Sequence, residues 1–196
     1  MFRKVLVANR GEIALRILRC LQELSIRSVA VYSEADRASP HLDVADETVC
    51  IGGPRSADSY LDMEAIVRAA LQTDCQAVHP GFGFLAENAR FAAMCGQAKV
   101  TFVGPSPAAI RQMGVKAAAR ETMRVAGLDP IPGSRGVLGT IDEAREVAAG
   151  IGYPVMLKAS YGGGGRGMRV AEDEGGLEQA FSQARMEAEK AFGEGD

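Results

Sequence analysis

Lys158, the four consecutive glycines Gly162, Gly163, Gly164 and Gly165, and Arg166 stand together in the run KASYGGGGRGM. Glycine has no Cβ and tolerates positive φ, so a run of them lets backbone N–H groups close on a ligand. Consecutive amides in such a turn form a concavity suited to anions, phosphate above all. Lys158 adds a point charge and Arg166 a planar fork, both matched to phosphate oxygens. A P-loop is excluded, because it needs Gly-Lys-Ser/Thr opening a helix. Here the lysine precedes the glycines, and no helix is expected before about Leu177. The pattern is that of a glycine flap laid over a nucleotide, with its lysine on the adjoining strand. The competing reading is a flexible surface hairpin, but ordering four glycines costs conformational entropy that a purely structural turn would rarely incur.

A second group is HPGFGFLAEN, residues 79–88. A strand that ends in Pro-Gly-Phe-Gly and leads into a helix sits where open α/β sheets place ligands, at the strand C-termini. Gly81 and Gly83 permit close backbone approach, and Glu87 can bind or orient a ligand. Phe82 and Phe84 suit packing as well as contact, and His79 is read as a hydrogen-bonded histidine at a strand end. Arg16, Arg19 and Glu23 share a helix face away from the apolar stripe, which spacing alone reads as solvated. Lys116 reads from spacing as an exposed helix lysine.

The elements that must position these residues follow from periodicity. Residues 4–8 (KVLVA) form a buried-strand pattern, NRG a turn, and residues 12–24 a helix whose Ile13, Ile17, Leu21 and Leu24 recur at helical spacing. Residues 28–32 (SVAVY) complete a βαβ unit, which implies a right-handed crossover and a parallel sheet. NRGEIA lacks G-x-G-x-x-G, so dinucleotide binding is not indicated. Strands are expected at 48–51, 76–79 and 99–103, with a helix at 59–71. Gly104-Pro105 and Pro107 mark a boundary. Helices follow at 108–113 and 116–126, broken at Gly114, then a connector at 130–139. A helix at 141–149 starts after Thr140, with Glu143 completing a capping box. The flap, flanked by strands at 155–157 and 168–170, precedes an amphipathic helix at 177–192. This gives an α/β fold with an open parallel-sheet, Rossmann-like domain over 1–103, a helical linker over 104–130 and a small α+β unit over 131–196.

The chain of 196 residues is long enough for one large or two small domains. Its net charge of −3 implies no general polyanion surface, so no nucleic-acid partner is expected and any anion site must be local. No apolar run approaches the roughly 18–20 residues that span a bilayer, and no membrane association is expected. Cys20, Cys50, Cys75 and Cys95 show neither zinc nor disulfide-framework spacing. They read as buried free thiols in a reducing cytoplasm.

Several stretches, in order along the whole chain, resemble the biotin carboxylase family of the ATP-grasp superfamily: KVLVANRGEIALRI, ADETVCIG, SYLD, HPGFGFLAEN, FVGPS, QMGVKAAAR and GYPVMLKASYGGGGRGMRV. Members of that family run to more than twice this length, so the resemblance is to an N-terminal portion, truncated before a large C-terminal lobe. It implies a pre-ATP-grasp domain, a linker and the ATP-grasp lid. It implies carboxylation of biotin on a biotin carboxyl carrier protein with ATP, Mg²⁺ and bicarbonate, through carboxyphosphate. This is the first half-reaction of acetyl-CoA carboxylase, within fatty acid biosynthesis, or of a related carboxylase, and a carboxyltransferase is the further partner.

By resemblance Lys158, Gly164 and Gly165 contact ATP phosphates and Lys116 is a second ATP-binding lysine, with Gly162, Gly163 and Arg166 in the same lid. Phe82, Gly83 and Glu87 match the neighbourhood of biotin, where many members carry tyrosine at the Phe82 position. Arg16, Arg19 and Glu23 match a face used in a homodimer. Val115 departs from the aspartate common before the lysine, and Tyr161 resembles pyruvate carboxylases. The Mg²⁺ ligands, the bicarbonate-binding residues and the general base belong to the lobe beyond. No catalytic residue or metal ligand is therefore assigned, and these residues alone are expected to be inactive. The alternatives are another ATP-grasp ligase and a non-catalytic nucleotide-binding or oligomerisation module.

Overall fold

The computed structural model describes residues 1–128, 130–158 and 168–192. It divides into two compact units, Met1–Arg111 and Gln112–Asp196.

The first unit is built on β1 (Lys4–Val7), α1 (Gly11–Glu23), β2 (Arg27–Ser33), β3 (Glu47–Gly52), α2 (Met63–Gln72), β4 (Ala77–His79), α3 (Ala89–Gln97) and β5 (Thr101–Phe102). The five strands are all parallel, in the order β3-β2-β1-β4-β5. Side chains alternate across a strand, and the alternation divides the apolar residues between two cores. Val5 and Val7 pack with Ile17, Leu18 and Leu21 of α1, while Leu6 joins Val29, Val31 and Val78 against Ile66 of α2 and Phe91 of α3. Leu6 is fully buried, a burial that stabilises by about 1.5–3 kcal/mol. The chain moves outward from β1 through β2 to β3, then crosses to the other side of β1 for β4. The crevice between the C-terminal ends of β1 and β4 is therefore the topological switch point, the place where open α/β sheets bind ligands.

Helix α4 (Pro107–Gly114) ends at the glycine that sequence expects to break it. In the second unit, α5 (Lys116–Val125) follows Val115, which is extended and offers no side-chain cap. Helix α6 (Ile141–Ile151) begins at the expected Thr140–Glu143 capping box. Strands β6 (Val155–Lys158) and β7 (Met168–Ala171) pair antiparallel, and α7 (Glu174–Phe192) packs with α6 on one side of them. Ala144, Ala148, Ala171, Leu177 and Ala180 form the core of this unit.

Three boundaries differ from expectation for physical reasons. Helix α2 starts at Met63 rather than residue 59, because Asp62 caps it by accepting the Ala65 N–H at 2.9 Å. Leu61, within the expected helix, precedes the observed one and is exposed. Strand β5 shortens to two residues, since Lys99 takes a left-handed φ of 60°. Helix α7 starts three residues early, through Gly175 and Gly176, because the Asp173 carboxylate accepts the Gly176 N–H at 2.9 Å. The cysteines also divide: all four are free, but only Cys75 and Cys95 are buried. Cys20 lies on the outward face of α1, and Cys50 points outward from the edge strand β3. Among the described residues no helix is long and apolar enough to cross a membrane.

Candidate functional site

Two places in the fold gather the residues singled out by sequence, one in each unit. In the first, the turn after β1 and the loop 79–88 after β4 meet at the switch point. The Asn9 side chain, 3% exposed, donates to the carbonyls of Pro80 at 2.7 Å and Phe82 at 2.8 Å. The loop is tightly wound: Gly81, Gly83 and Phe84 have φ of 69°, 72° and 41°. His79 Nδ1 accepts the Gly81 N–H at 3.1 Å. Burial, and secondarily Arg16, pushes its pKa down, so His79 is a neutral histidine that shapes the loop, as sequence expects. Phe82 stands 76% exposed, and Gly83 and Glu87 are exposed with it. The loop ends where Asn88 caps α3, accepting the Phe91 N–H at 2.9 Å.

Behind this loop lies a polar network that sequence reasoning missed. Asp36, in a short turn after β2, takes the Arg10 guanidinium on both carboxylate oxygens, through Nε at 2.8 Å and through Nη2. The same carboxylate accepts from Ser33 Oγ at 3.0 Å and from the Tyr60 hydroxyl at 2.8 Å. The Tyr60 oxygen accepts the Ser33 N–H at 3.0 Å, and its ring stacks on Phe84 with centroids 5.1 Å apart. The Arg10 hydrogen bonds hold the Asp36 carboxyl well below the usual carboxylate range, against the effect of burial. Burial pushes the Tyr60 hydroxyl up to about 12. The one available signal was position: Asn9 and Arg10 directly follow the central strand. Asp36 lies in a stretch with no periodicity to mark it, and Tyr60, expected in the first turn of a helix, instead precedes α2, which starts at Met63.

In the second unit, β6 and β7 present two unlike faces. Val155, Leu157 and Ala171 pack inward with α6 and α7. On the opposite face Met156 lies across from Val170, and Lys158 across from Met168. All four are exposed, Met156 to 53% and Val170 to 49%. Sequence reasoning identified Lys158 and the two strands but assigned no face to their apolar residues, since a strand of four residues does not reveal which face is covered. An exposed apolar patch on an otherwise packed element marks a ligand or partner surface. Methionine is polarizable and makes favourable contacts with flat rings. The lysine stands two residues further along the strand, about 7 Å away. The face thus suits a ligand with a flat apolar body and an anionic tail. Gly162, Gly163, Gly164, Gly165 and Arg166 lie outside the described residues, as does the side chain of Lys116.

Arg16, Arg19 and Glu23 share the outward face of α1 with Glu12, Leu15 and Cys20. All three are exposed, and among the described residues no ion pair joins Arg19 to Glu23. No group of three or more His, Cys, Asp or Glu side chains that could hold a metal occurs among the described residues.

Comparison with known proteins matches residues 1–110 to the family described as biotin carboxylase, N-terminal domain. Residues 115–196 match carbamoyl-phosphate synthase L chain, ATP binding domain. The biotin carboxylase of a Nostoc species is 52% identical over 98% of this chain, and biotin carboxylase 1 of Bacillus subtilis 53% identical over 98%. Each alignment covers 43% of the relative, so the chain spans less than half the length of the curated relatives it matches. Among solved structures, a biotin carboxylase–β,γ-ATP complex from Campylobacter jejuni is similar over the whole chain and 44% of its own length, with TM-score 0.92 and 47% identity. The biotin carboxylase domain dimer of Hydrogenobacter thermophilus 2-oxoglutarate carboxylase, in complex with MgADP, ADP and bicarbonate, covers the whole chain at TM-score 0.90 and 49% identity, over 43% of its length.

Proposed function

The chain belongs to the biotin carboxylase N-terminal domain family, and from that premise we propose that it serves an enzyme that uses ATP and bicarbonate to carboxylate biotin on a carrier protein. Each unit is read by itself, the second for the nucleotide and the first for biotin. The outward face of the β6–β7 hairpin is the observation that carries the reading. A purine ring seated against Met156 and Val170 directs its phosphates along β6 towards Lys158 and on to the glycine run that follows. Lys158, Gly164 and Gly165 meet the phosphates, Lys116 is the second ATP lysine, and Gly162, Gly163 and Arg166 belong to the closing lid. A closed lid keeps water from an activated intermediate that it would destroy. Positive groups and backbone amides favour the charge spread over a phosphoryl group in transfer.

In the first unit, Phe82, Gly83 and Glu87 border the biotin site. The exposed ring of Phe82 offers an apolar surface that carries no hydroxyl. Arg16, Arg19 and Glu23 face a second copy of the protein, a reading supported by a relative whose biotin carboxylase domain is described as a dimer. Mg²⁺ accompanies the nucleotide; the described residues offer it no ligand cluster, and none of their roles passes through it. The biotin carboxyl carrier protein and a carboxyltransferase are the partners, and the free buried thiols Cys75 and Cys95 fit a reducing cytoplasm.

Calorimetric titration of MgATP into the wild-type chain and into Lys158→Ala tests the reading. One lost charged hydrogen bond is worth about 1.5–3 kcal/mol, which converts to roughly 10- to 150-fold weaker binding. Equal affinities in the two proteins would remove Lys158 from the nucleotide site.

A further inference from the structure

We infer that Asn9 is a positioning residue for the biotin half of the reaction, acting through the backbone of the loop 79–88. The inference rests on the reading above that this loop borders the biotin site. Both N–H groups of one buried amide are used: they reach the carbonyls of Pro80 at 2.7 Å and Phe82 at 2.8 Å, on either side of Gly81. The amide's oxygen accepts the Arg10 N–H at 2.9 Å, which fixes the orientation of the side chain. Gly81 lies directly against this clamp. A Cβ there would stand 2.8 Å from Asn9 Nδ2 and 2.7 Å from Ile13 Cγ2, at a φ of 69° that side chains rarely adopt.

The exposed Phe82 ring therefore takes its direction from the backbone beneath it. That backbone contains Gly81, Gly83 and Phe84 in the left-handed region, which is disfavoured for a residue with a Cβ. Such a loop keeps its shape only when its surroundings impose it. Tyr60 holds it at Phe84 through ring stacking, and Asn9 holds it at Pro80 and Phe82. Asn9 is anchored at the end of the central strand, so loop and sheet are set by one side chain.

Two variants test this from opposite sides of the contact. Asn9→Asp keeps the shape and the acceptor for Arg10 but has no donor for the two carbonyls; Gly81→Ala disturbs the same contact from the loop. In the 196-residue chain, amide hydrogen exchange at Gly81 and Ala86 should accelerate about tenfold or more in each variant, the effect of losing two hydrogen bonds. In the complete carboxylase, the KM for free biotin should rise about tenfold while the KM for ATP stays within about twofold. The double variant should add little to either single one, because both break one contact. Unchanged exchange would overturn the clamp. Faster exchange with an unchanged biotin KM would overturn instead the placement of the loop beside biotin. Parallel losses for biotin and ATP would reduce Asn9 to a general structural role and overturn the inference. Should Asn9→Asp fail to fold, Gly81→Ala carries the same readouts.

Discussion

Replacing Tyr60 with phenylalanine removes one oxygen from the centre of the switch-point network and leaves the ring in place. Tyr60 is 2% exposed, and its hydroxyl serves two partners, accepting from the Ser33 N–H at 3.0 Å and donating to Asp36 at 2.8 Å. Loss of a hydrogen bond to a charged group costs about 1.5–3 kcal/mol, and a buried N–H left unpaired costs about 1–3 kcal/mol. The two losses overlap at one atom, so the first unit should lose about 2–4 kcal/mol near neutral pH. The stacking on Phe84 survives, which isolates the hydroxyl as the cause.

The same residue gives the effect a pH signature. Its folded-state pKa is raised to about 12 by burial, above the value of about 10 in an unfolded chain. Stability from the protonated hydroxyl is fully present below pH 10 and is lost as pH rises from 10 towards 12. Linkage places the loss at about 1.4 kcal/mol by pH 11, and Tyr60→Phe cannot show it. The stability gap between the two proteins should therefore narrow by about that amount between pH 9 and pH 11. Urea unfolding followed at the methyl signals of Val29 and Val31 reads the first unit alone. A gap that stays constant across this interval would refute the reasoning, since the hydroxyl could not then be buried and protonated in the folded state.

Two further outcomes follow from particular side chains. A thiol reagent should label the exposed Cys20 and Cys50 promptly and reach the buried Cys75 and Cys95 only as the first unit opens, burial having also pushed the Cys95 thiol up to about 11; four thiols labelled at one rate would contradict this. Val115→Asp should stabilise α5 by about 1 kcal/mol, because Val115 sits extended at the N-cap and its side chain makes no capping hydrogen bond. Amide exchange near Ala119 should slow accordingly, and an unchanged rate would mean that the first turn is held by other contacts.

The parallel sheet was legible in the sequence because its strands are runs of β-branched and aliphatic residues separated by helical periodicity, KVLVA and SVAVY above all. Helix α6 was legible for a different reason: Thr140 and Glu143 are a local signal that needs no tertiary context. Where local signals conflicted, the structure followed the hydrogen bond. Gly175 and Gly176 argued against a helix, yet the Asp173 carboxylate starts one through them. The functional residues divide in the same way. Lys158 was readable from its type and its glycine neighbours. Met156, Met168 and Val170 were not, because the fact that matters is which face α6 and α7 leave uncovered. Asp36 and Tyr60 lie 24 residues apart, and only the fold brings a carboxylate and a phenol within 2.8 Å.

The hairpin face as the seat of the nucleotide is tested most directly by titrating MgATP into the chain carrying ¹³C-labelled methionine methyl groups. Met156 and Met168 should shift together, on one saturating curve that weakens in Lys158→Ala. Met63 and Met94, packed against the core of the first unit, should stay still. Saturable binding that leaves Met156 and Met168 unmoved would place the nucleotide elsewhere and contradict the proposal.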